Sequence, residues 1–313
     1  MVGFDIRQKN LTHYDIMFAG AASGFITRAT CQPLDVLKIR FQLQVEPISK
    51  TVRSKYHSMP QAVRLICKEE GIKALWKGHI PAQFLSVVYG LVQFWTFEVL
   101  TKQAHLTNLN VSFKPLVNFS CGAIAGCSAT VASFPFDVVR TRLVAQSERN
   151  KLYLSVTGAF KHIIKNESVL VLYKGLLPTF IQVAPHAGVQ FMCYKIFDGF
   201  YRSLVNIDNS VFTLPGSVVS GSLAGLVAKA SIYPLDLVKK RMQIQGVEHH
   251  RREFGTVFVC KGMIDCFIKM YHTEGILGLF KGLNPSLVKA VVTTAIHFSS
   301  YECVCKIISD IRS

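Results

Sequence analysis

The sequence predicts an all-α membrane protein, a bundle of six transmembrane helices, on three observations. Half of its 313 residues are hydrophobic and 17% are charged, too apolar a balance for an ordinary soluble domain. Two short motifs each occur three times, in the same order and about one hundred residues apart. Each pair of motifs separates two largely apolar spans near the ~20 residues that cross a ~30 Å hydrocarbon core. Lipid admits only helices or closed barrels, because every backbone polar group must be satisfied within the protein. The spans lack the two-residue alternation of barrel strands, which leaves helices.

The repeat sets the order of elements. "PLDVLKIR" at Pro33 returns as "PFDVVRTR" at Pro135 and "PLDLVKKR" at Pro234, 102 and 99 residues on. "EGIKALWKGHIP" (Glu70–Pro81) returns as "ESVLVLYKGLLP" (Glu167–Pro178) and "EGILGLFKGLNP" (Glu274–Pro285). The three units run over residues 14–104, 113–205 and 213–309. In each, a first span ends at the Pro-x-Asp motif: Asp15–Pro33, Leu116–Pro135 and Leu214–Pro234. A shorter amphipathic segment follows, as in "HSMPQAVRLICKEEG" (His57–Gly71). Its Val63, Ile66 and Cys67 share one face, with Arg64, Lys68 and Glu69 on others, which suits a helix lying on the membrane surface. Gly71 and Gly275 are placed to cap that helix, and Ser168 makes a weaker cap in unit two. Pro81, Pro178 and Pro285 fit the first turn of the second spans, Pro81–Leu100, Pro178–Tyr201 and Pro285–Ile307.

Charge placement excludes several classes. A net charge of +16 would suit a nucleic-acid binder, but 24 of the 35 bases lie in the three segments between the two motifs. Those segments therefore share one side of the membrane, with both termini on the other. The polar N-terminal stretch, "MVGFDIRQKNLTHYD", reads as neither signal peptide nor transit peptide. Nine scattered cysteines form no CxxC pair, so they read as free thiols, and no metal or cofactor is expected. There is no Walker loop, nucleophile elbow or matched carboxylate pair to indicate an enzyme.

After loops, connections and termini are counted, three bases remain: Arg28, Lys229 and Lys289, each several residues inside an apolar span with no acid at comparable depth. A base at the bilayer centre costs ~2.5–3.5 kcal/mol, so such residues line polar cavities. A basic membrane-surface scaffold would not need them. Three unpaired cations in a cavity call for a polyanion. Gln93, Gln190 and His297 are equivalent by the repeat and need either a shared lumen or a neighbouring helix as partner. Gly20/Gly24, Gly122/Gly126 and Gly221/Gly225 place Gly-x-x-x-Gly on the first helix of each unit, a pattern that permits close helix packing.

Three Pro-x-Asp-x-x-(Lys/Arg) motifs, three acid-x5-aromatic-Lys-Gly motifs and six spans resemble the mitochondrial carrier family over essentially the whole chain. The resemblance implies a monomeric, threefold pseudo-symmetric bundle in the inner membrane, with short amphipathic helices on the matrix side. It also implies one central site, alternating access, and both termini facing the intermembrane space. A matrix gate is implied at Asp35–Arg140, Asp137–Lys239 and Asp236–Lys38, braced by Gln42 and Gln243, with Val144 where a third brace would stand. As exposed pairs worth ~0–1 kcal/mol each, these would hold a closed state yet break on substrate binding. The opposite, cytosolic gate would draw on Glu98, Lys195, Asp198 and Glu302. Unit two has its charges reversed there, so Glu98–Lys195–Glu302 pairing is expected rather than a full ring. Lys77-Gly78, Lys174-Gly175 and Lys281-Gly282 are the implied cardiolipin sites.

Substrate-contact positions of the family map to Leu85 and Ser86, Gln182 and Val183, and Lys289. Stretches such as "KIRFQLQ", "WKGHIPAQ", "VQFWTFE" and "QFMCY" are similar to family members that carry thiamine pyrophosphate. That implies thiamine pyrophosphate as substrate and nucleotides as counter-substrate. Arg28, Lys229 and Lys289 would hold its diphosphate. Gln93, Gln182, Gln190 and His297 would address its rings, with Tyr89 or Phe191 stacking on them. Another phosphorylated anion, such as an adenine nucleotide, a deoxynucleotide or coenzyme A, stays open as the alternative.

Overall fold

A computed structural model describes residues 12–45, 54–106, 114–146, 151–205, 214–247 and 259–312. The expected starts of units two and three, residues 113 and 213, lie outside these. The described residues form helices and turns, with no strand among them. In order the helices are α1 (His13–Leu43), α2 (Met59–Glu70), α3 (His79–Leu106), α4 (Lys114–Ala145), α5 (Val156–Asn166), α6 (Leu176–Val205), α7 (Leu214–Ser231), α8 (Tyr233–Gln243), α9 (Met263–Gly278) and α10 (Leu283–Arg312). The long helices pack as α3 on α4, α6 on α7 and α10 back on α1. Each unit leans on the next and the last leans on the first, so six spans close into a ring with threefold pseudo-symmetry.

The first helix of each unit continues past its proline. Pro33 and Pro135 sit inside α1 and α4, which run ten residues further to Leu43 and Ala145. In unit three the chain breaks at Ile232 and bends by 53° between α7 and α8. A proline removes one helical hydrogen bond, and the residues after it recover that loss by burial. Val36, Leu37, Ile39 and Leu43 are at most 3% exposed. By length and composition, among the described residues Ile72–Ala104 and Val117–Ala145 would each cross a membrane unaided, and two bent pairs qualify if each is taken as one span. The other spans are diluted by inward-facing charge, as in α1 with Arg28, Asp35, Lys38 and Arg40. Tyr14, Phe94, Trp95 and Phe119 are largely exposed, as suits side chains that lipid would cover.

The short helices dock on the bundle rather than on lipid alone. In α2 the buried positions are Ala62 and Ile66, packed with Leu37, Tyr56, Ala74 and Leu75, while Val63 and Cys67 flank them half-buried. The apolar face is thus centred one residue from the expected one, because protein supplies its partner. Gly71 caps α2 at φ 84°, as expected. Unit two does without a glycine: Ser168 takes an extended φ of 171° and its side chain accepts from the Leu170 amide.

An ion pair pins each short helix to the motif helix above it. Arg40 meets Glu70 at 2.6 Å, Arg142 meets Glu167 at 2.6 Å and Arg241 meets Glu274 at 2.8 Å. The acid is the first residue of the second motif and the base is the last of the first, so the two motifs are halves of one contact. Burial pushes the Glu70 carboxyl up. The hydrogen bonds and charge of Arg40, then of Lys77, outweigh this and hold it below its ordinary value.

The glycines of the Lys-Gly-x-x-Pro motif make the next contact. Gly78, Gly175 and Gly282 have φ of 75°, 92° and 81°, and each lies against the first helix of the following unit. A Cβ would stand 3.0 Å from Val144 Cγ2 at Gly78, 3.0 Å from the Lys239 carbonyl oxygen at Gly175, and 3.1 Å from Gln42 Cγ at Gly282, where Tyr233 Oη of the same unit is nearer still at 2.8 Å.

Glu70→Ala leaves Arg40 buried without its carboxylate and is expected to cost about 3–5 kcal/mol. Glu69→Ala removes the more exposed Lys55–Glu69 pair and should cost no more than about 1 kcal/mol. Thermal unfolding of the purified protein in detergent at neutral pH separates the two. Because the folded Glu70 pKa is lowered, that difference is full above the ordinary carboxylate range and fades as pH falls through it. Gly175→Ala meets both a left-handed backbone and the Lys239 carbonyl, whereas Gly71→Ala meets the backbone penalty alone, about 1–2 kcal/mol. The same melts should rank Gly175→Ala as the more damaging.

Candidate functional site

Three aspartates lie where α1, α4 and α8 converge, and each is matched by a cation on a neighbouring unit. Arg140 on α4 pairs with Asp35 on α1 at 2.5 Å, Lys239 on α8 with Asp137 on α4 at 3.0 Å, and Lys38 on α1 with Asp236 on α8 at 2.6 Å. The cycle closes on itself. The glutamines brace it: Gln42 Nε2 donates to Asp236 Oδ2 at 3.2 Å and Gln243 Nε2 to Asp137 Oδ2 at 2.9 Å. Val144, at the third position, is fully buried and packs beside Gly78.

Two features correct the sequence reading. The ring side chains are only 10–20% exposed, so these are not solvent-exposed pairs. They can still part, because the charges regain hydration when separated into water and much of their attraction offsets a desolvation cost. Second, Lys289 is not unpaired. It reaches from α10 to the other oxygen of Asp35, so one carboxylate holds both Arg140 and Lys289. The acid that a count by span depth misses lies at the helix bend, within reach of a long lysine side chain.

A cavity of about 840 Å³ opens above one part of this ring, within the range of small-molecule sites. Lys38 and Asp236 form its floor, Gln182, His186 and Gln190 project from α6, Lys229 from α7 and Thr294 from α10. Lys229 interacts with Lys38, Asp236 and Lys289 through their charges, and Arg28 with Arg140, Asp35 and Asp137. Of the three intramembrane bases Lys229 lines the cavity, whereas Lys289 is engaged with Asp35 and neither it nor Arg28 is among the lining residues.

Ser86, Tyr89 and Gln93 on α3 do not line this cavity, and Ser86 donates to the Ala82 carbonyl of its own helix. His297 meets Ser23 across the α1–α10 contact, its Nδ1 3.1 Å from the hydroxyl, which also donates to the His297 carbonyl. Gly221 and Gly225 line the cavity instead of a tight helix contact, and nothing lies within 4 Å of a Cβ at Gly20, Gly24, Gly126 or Gly225. Gly221 and Gly225 thus leave room in the cavity wall, and the close packing expected of the pattern is seen at Gly122 and Gly221 only as contact with Phe97 and Tyr194 at 4.0 and 3.9 Å.

At the other end the expected Glu98–Lys195–Glu302 contact is absent among the described residues. Glu98 pairs with Lys102 at 2.8 Å and Asp198 with Arg202 at 2.7 Å, each within its own helix. Charge thus joins the three units at the ring end, whereas Glu98 and Asp198 are engaged within their own helices. Lys77 and Lys281 of the proposed lipid sites pair with Glu70 and Glu274, at 2.6 and 2.8 Å.

Lys240 and His186 had no place in the sequence reading. Lys240 is buried and its Nζ donates to Asp137, Thr141 and Gln243 at 2.9, 3.0 and 3.0 Å. Its repeat equivalents are Ile39 and Thr141, so a lysine there was a legible departure from the pattern. His186 sits one turn from Gln182, and that spacing was its only signal.

The family model described as mitochondrial carrier protein matches residues 9–106, 112–204 and 210–312. The chain is 44% identical over 310 residues to the mitochondrial thiamine pyrophosphate carrier of Homo sapiens, covering 98% of this chain and 97% of that protein. It is 42% identical over 315 residues to the Bos taurus protein of the same name, covering 100% and 99%. To mitochondrial thiamine diphosphate carrier 1 of Zea mays it is 39% identical over 312 residues, covering 91% of each. With three matched repeats, the charge-closed ring and the cavity above it, the chain belongs to the mitochondrial carrier family.

Proposed function

We propose that this protein imports thiamine pyrophosphate across the mitochondrial inner membrane by alternating access, in exchange for nucleotides. The observation that carries this reading is the cavity lined by the Lys38–Asp236 pair of a closed ion ring, with the cation Lys229 on its wall. The names of its relatives supply the substrate.

In this reading the units at 14–104, 113–205 and 213–309 act as three levers of a monomer. The ring of Asp35, Lys38, Asp137, Arg140, Asp236 and Lys239, with Gln42 and Gln243, is the matrix gate. Glu98, Lys195, Asp198 and Glu302 guard the cytosolic mouth, and both termini face the intermembrane space. Cardiolipin sits at Lys77-Gly78, Lys174-Gly175 and Lys281-Gly282. A diphosphate entering the cavity competes with Asp35 for Lys289 and adds a counter-charge near Lys229 and Arg28. Asp35 is then held by Arg140 alone and the gate loses one of its contacts. Substrate opens the gate only by binding the parting ring better than the closed one, and a shared lysine provides that difference.

Liposomes containing the purified protein and preloaded with nucleotide should take up labelled thiamine pyrophosphate saturably, with unlabelled compound competing better than ADP or coenzyme A. Uptake of nucleotide without thiamine pyrophosphate would keep the carrier and replace its substrate. Lys289→Ala should abolish uptake while the protein stays folded and inserted. Asp236→Lys combined with Lys38→Asp should transport better than either single reversal, since the pair is restored with opposite sense. Equal loss in all three variants would remove that pair from the gate.

A further inference from the structure

The cavity separates into groups already committed and groups still free. Lys38 and Asp236 pair with each other. The Ser222 hydroxyl donates to the Val218 carbonyl at 2.7 Å and Thr294 to that of Ala290 at 3.0 Å, each on its own helix. Among the described residues, Gln182, His186 and Gln190 have no hydrogen-bond partner, and the Gln182 Oε1 and His186 Nδ1 atoms are buried without one. Buried polar atoms are ordinarily satisfied, and those left over at a cavity wall mark where a ligand or water completes the set.

These three residues stand at i, i+4 and i+8 of α6, so they form one stripe rising ~12 Å along the helix at 1.5 Å per residue. All three are neutral polar groups that both donate and accept when His186 is neutral. The free cation of the lining is Lys229, across the cavity on α7. Charge is therefore confined to the floor and the α7 wall, while α6 offers only uncharged hydrogen bonding. A ligand anchored by an anionic end near Lys229 would lay its other end along this stripe.

We propose that His186, in line with Gln182 and Gln190 already expected to address the ring system, is a specificity-determining residue that recognises the non-phosphate end of the substrate. The ligand class is a phosphorylated compound bearing a neutral heteroaromatic ring with donors and acceptors on its edge, an aminopyrimidine being one such ring. The assignment rests on the transport reading above and adds to it which wall tells the substrate from a bare polyphosphate.

The test compares half-saturating thiamine pyrophosphate with half-inhibitory inorganic pyrophosphate in reconstituted liposomes, for the unaltered protein, His186→Ala, Gln190→Ala and Lys229→Ala. Loss of a neutral hydrogen bond should raise the thiamine pyrophosphate value about 3–10-fold in His186→Ala and in Gln190→Ala, with the pyrophosphate value unchanged. Lys229→Ala should raise both. His186→Gln, which keeps a donor and an acceptor, should recover most of the discrimination. Parallel shifts in both ligands for the α6 variants, or no shift, overturn the proposal. If the unaltered protein takes up ADP but not thiamine pyrophosphate, the substrate reading fails on its own. The same variants are then scored with ADP against pyrophosphate, where loss of discrimination sustains the α6 assignment and parallel shifts overturn it.

Discussion

Three carboxylates at the bends of α1, α4 and α8 have nowhere to place their charge except on cations of a neighbouring unit, and the rest of the structure is arranged around that need. A buried carboxylate without a partner would cost several kcal/mol. Asp35 therefore holds α4 through Arg140 and α10 through Lys289, Asp137 holds α8 through Lys239 and Lys240, and Asp236 holds α1 through Lys38. Because each acid binds forward to another unit, the ring cannot be loosened at one pair without weakening the hold among all three units. Sequence repetition thus becomes mechanical coupling.

Around the ring, the contacts that do not depend on substrate are made firm. The Arg–Glu pairs fix each short helix, and Gly78, Gly175 and Gly282 let the second span of each unit begin directly against the next unit's motif helix. No β-carbon fits without displacing those neighbours. These contacts tie each short helix and each second span to a motif helix.

The architecture was legible in the sequence because it is periodic: a motif seen three times fixes six spans, three pairs and two braces. The Arg40–Glu70 class of contact was equally periodic, yet it stayed hidden because its halves lie in different motifs about thirty residues apart. The site was less legible, since a cavity has no period. Lys289 looked unpaired because depth along one helix says nothing of what a flexible side chain reaches on another. His297, equivalent to Gln190 by the repeat, meets Ser23 across the α1–α10 contact, whereas Gln190 stays free. Pseudo-symmetry governs the backbone, and function lies in the departures from it.

The two ends of the bundle differ for a reason of the same kind. At the ring, acid and base on adjacent units face each other with side chains only 10–20% exposed, and each pair joins two units rather than two residues of one helix. At the other end, unit two reverses the charges, and Glu98 and Asp198 each find a base four residues on in their own helix. An exposed pair within one helix contributes only ~0.3–0.5 kcal/mol, but it forms without bringing two helices together. Closing the mouth must displace those local pairs to gain cross-helix ones, and reversed charges limit how many such pairs exist. The ring end is therefore the one at which charge joins all three units.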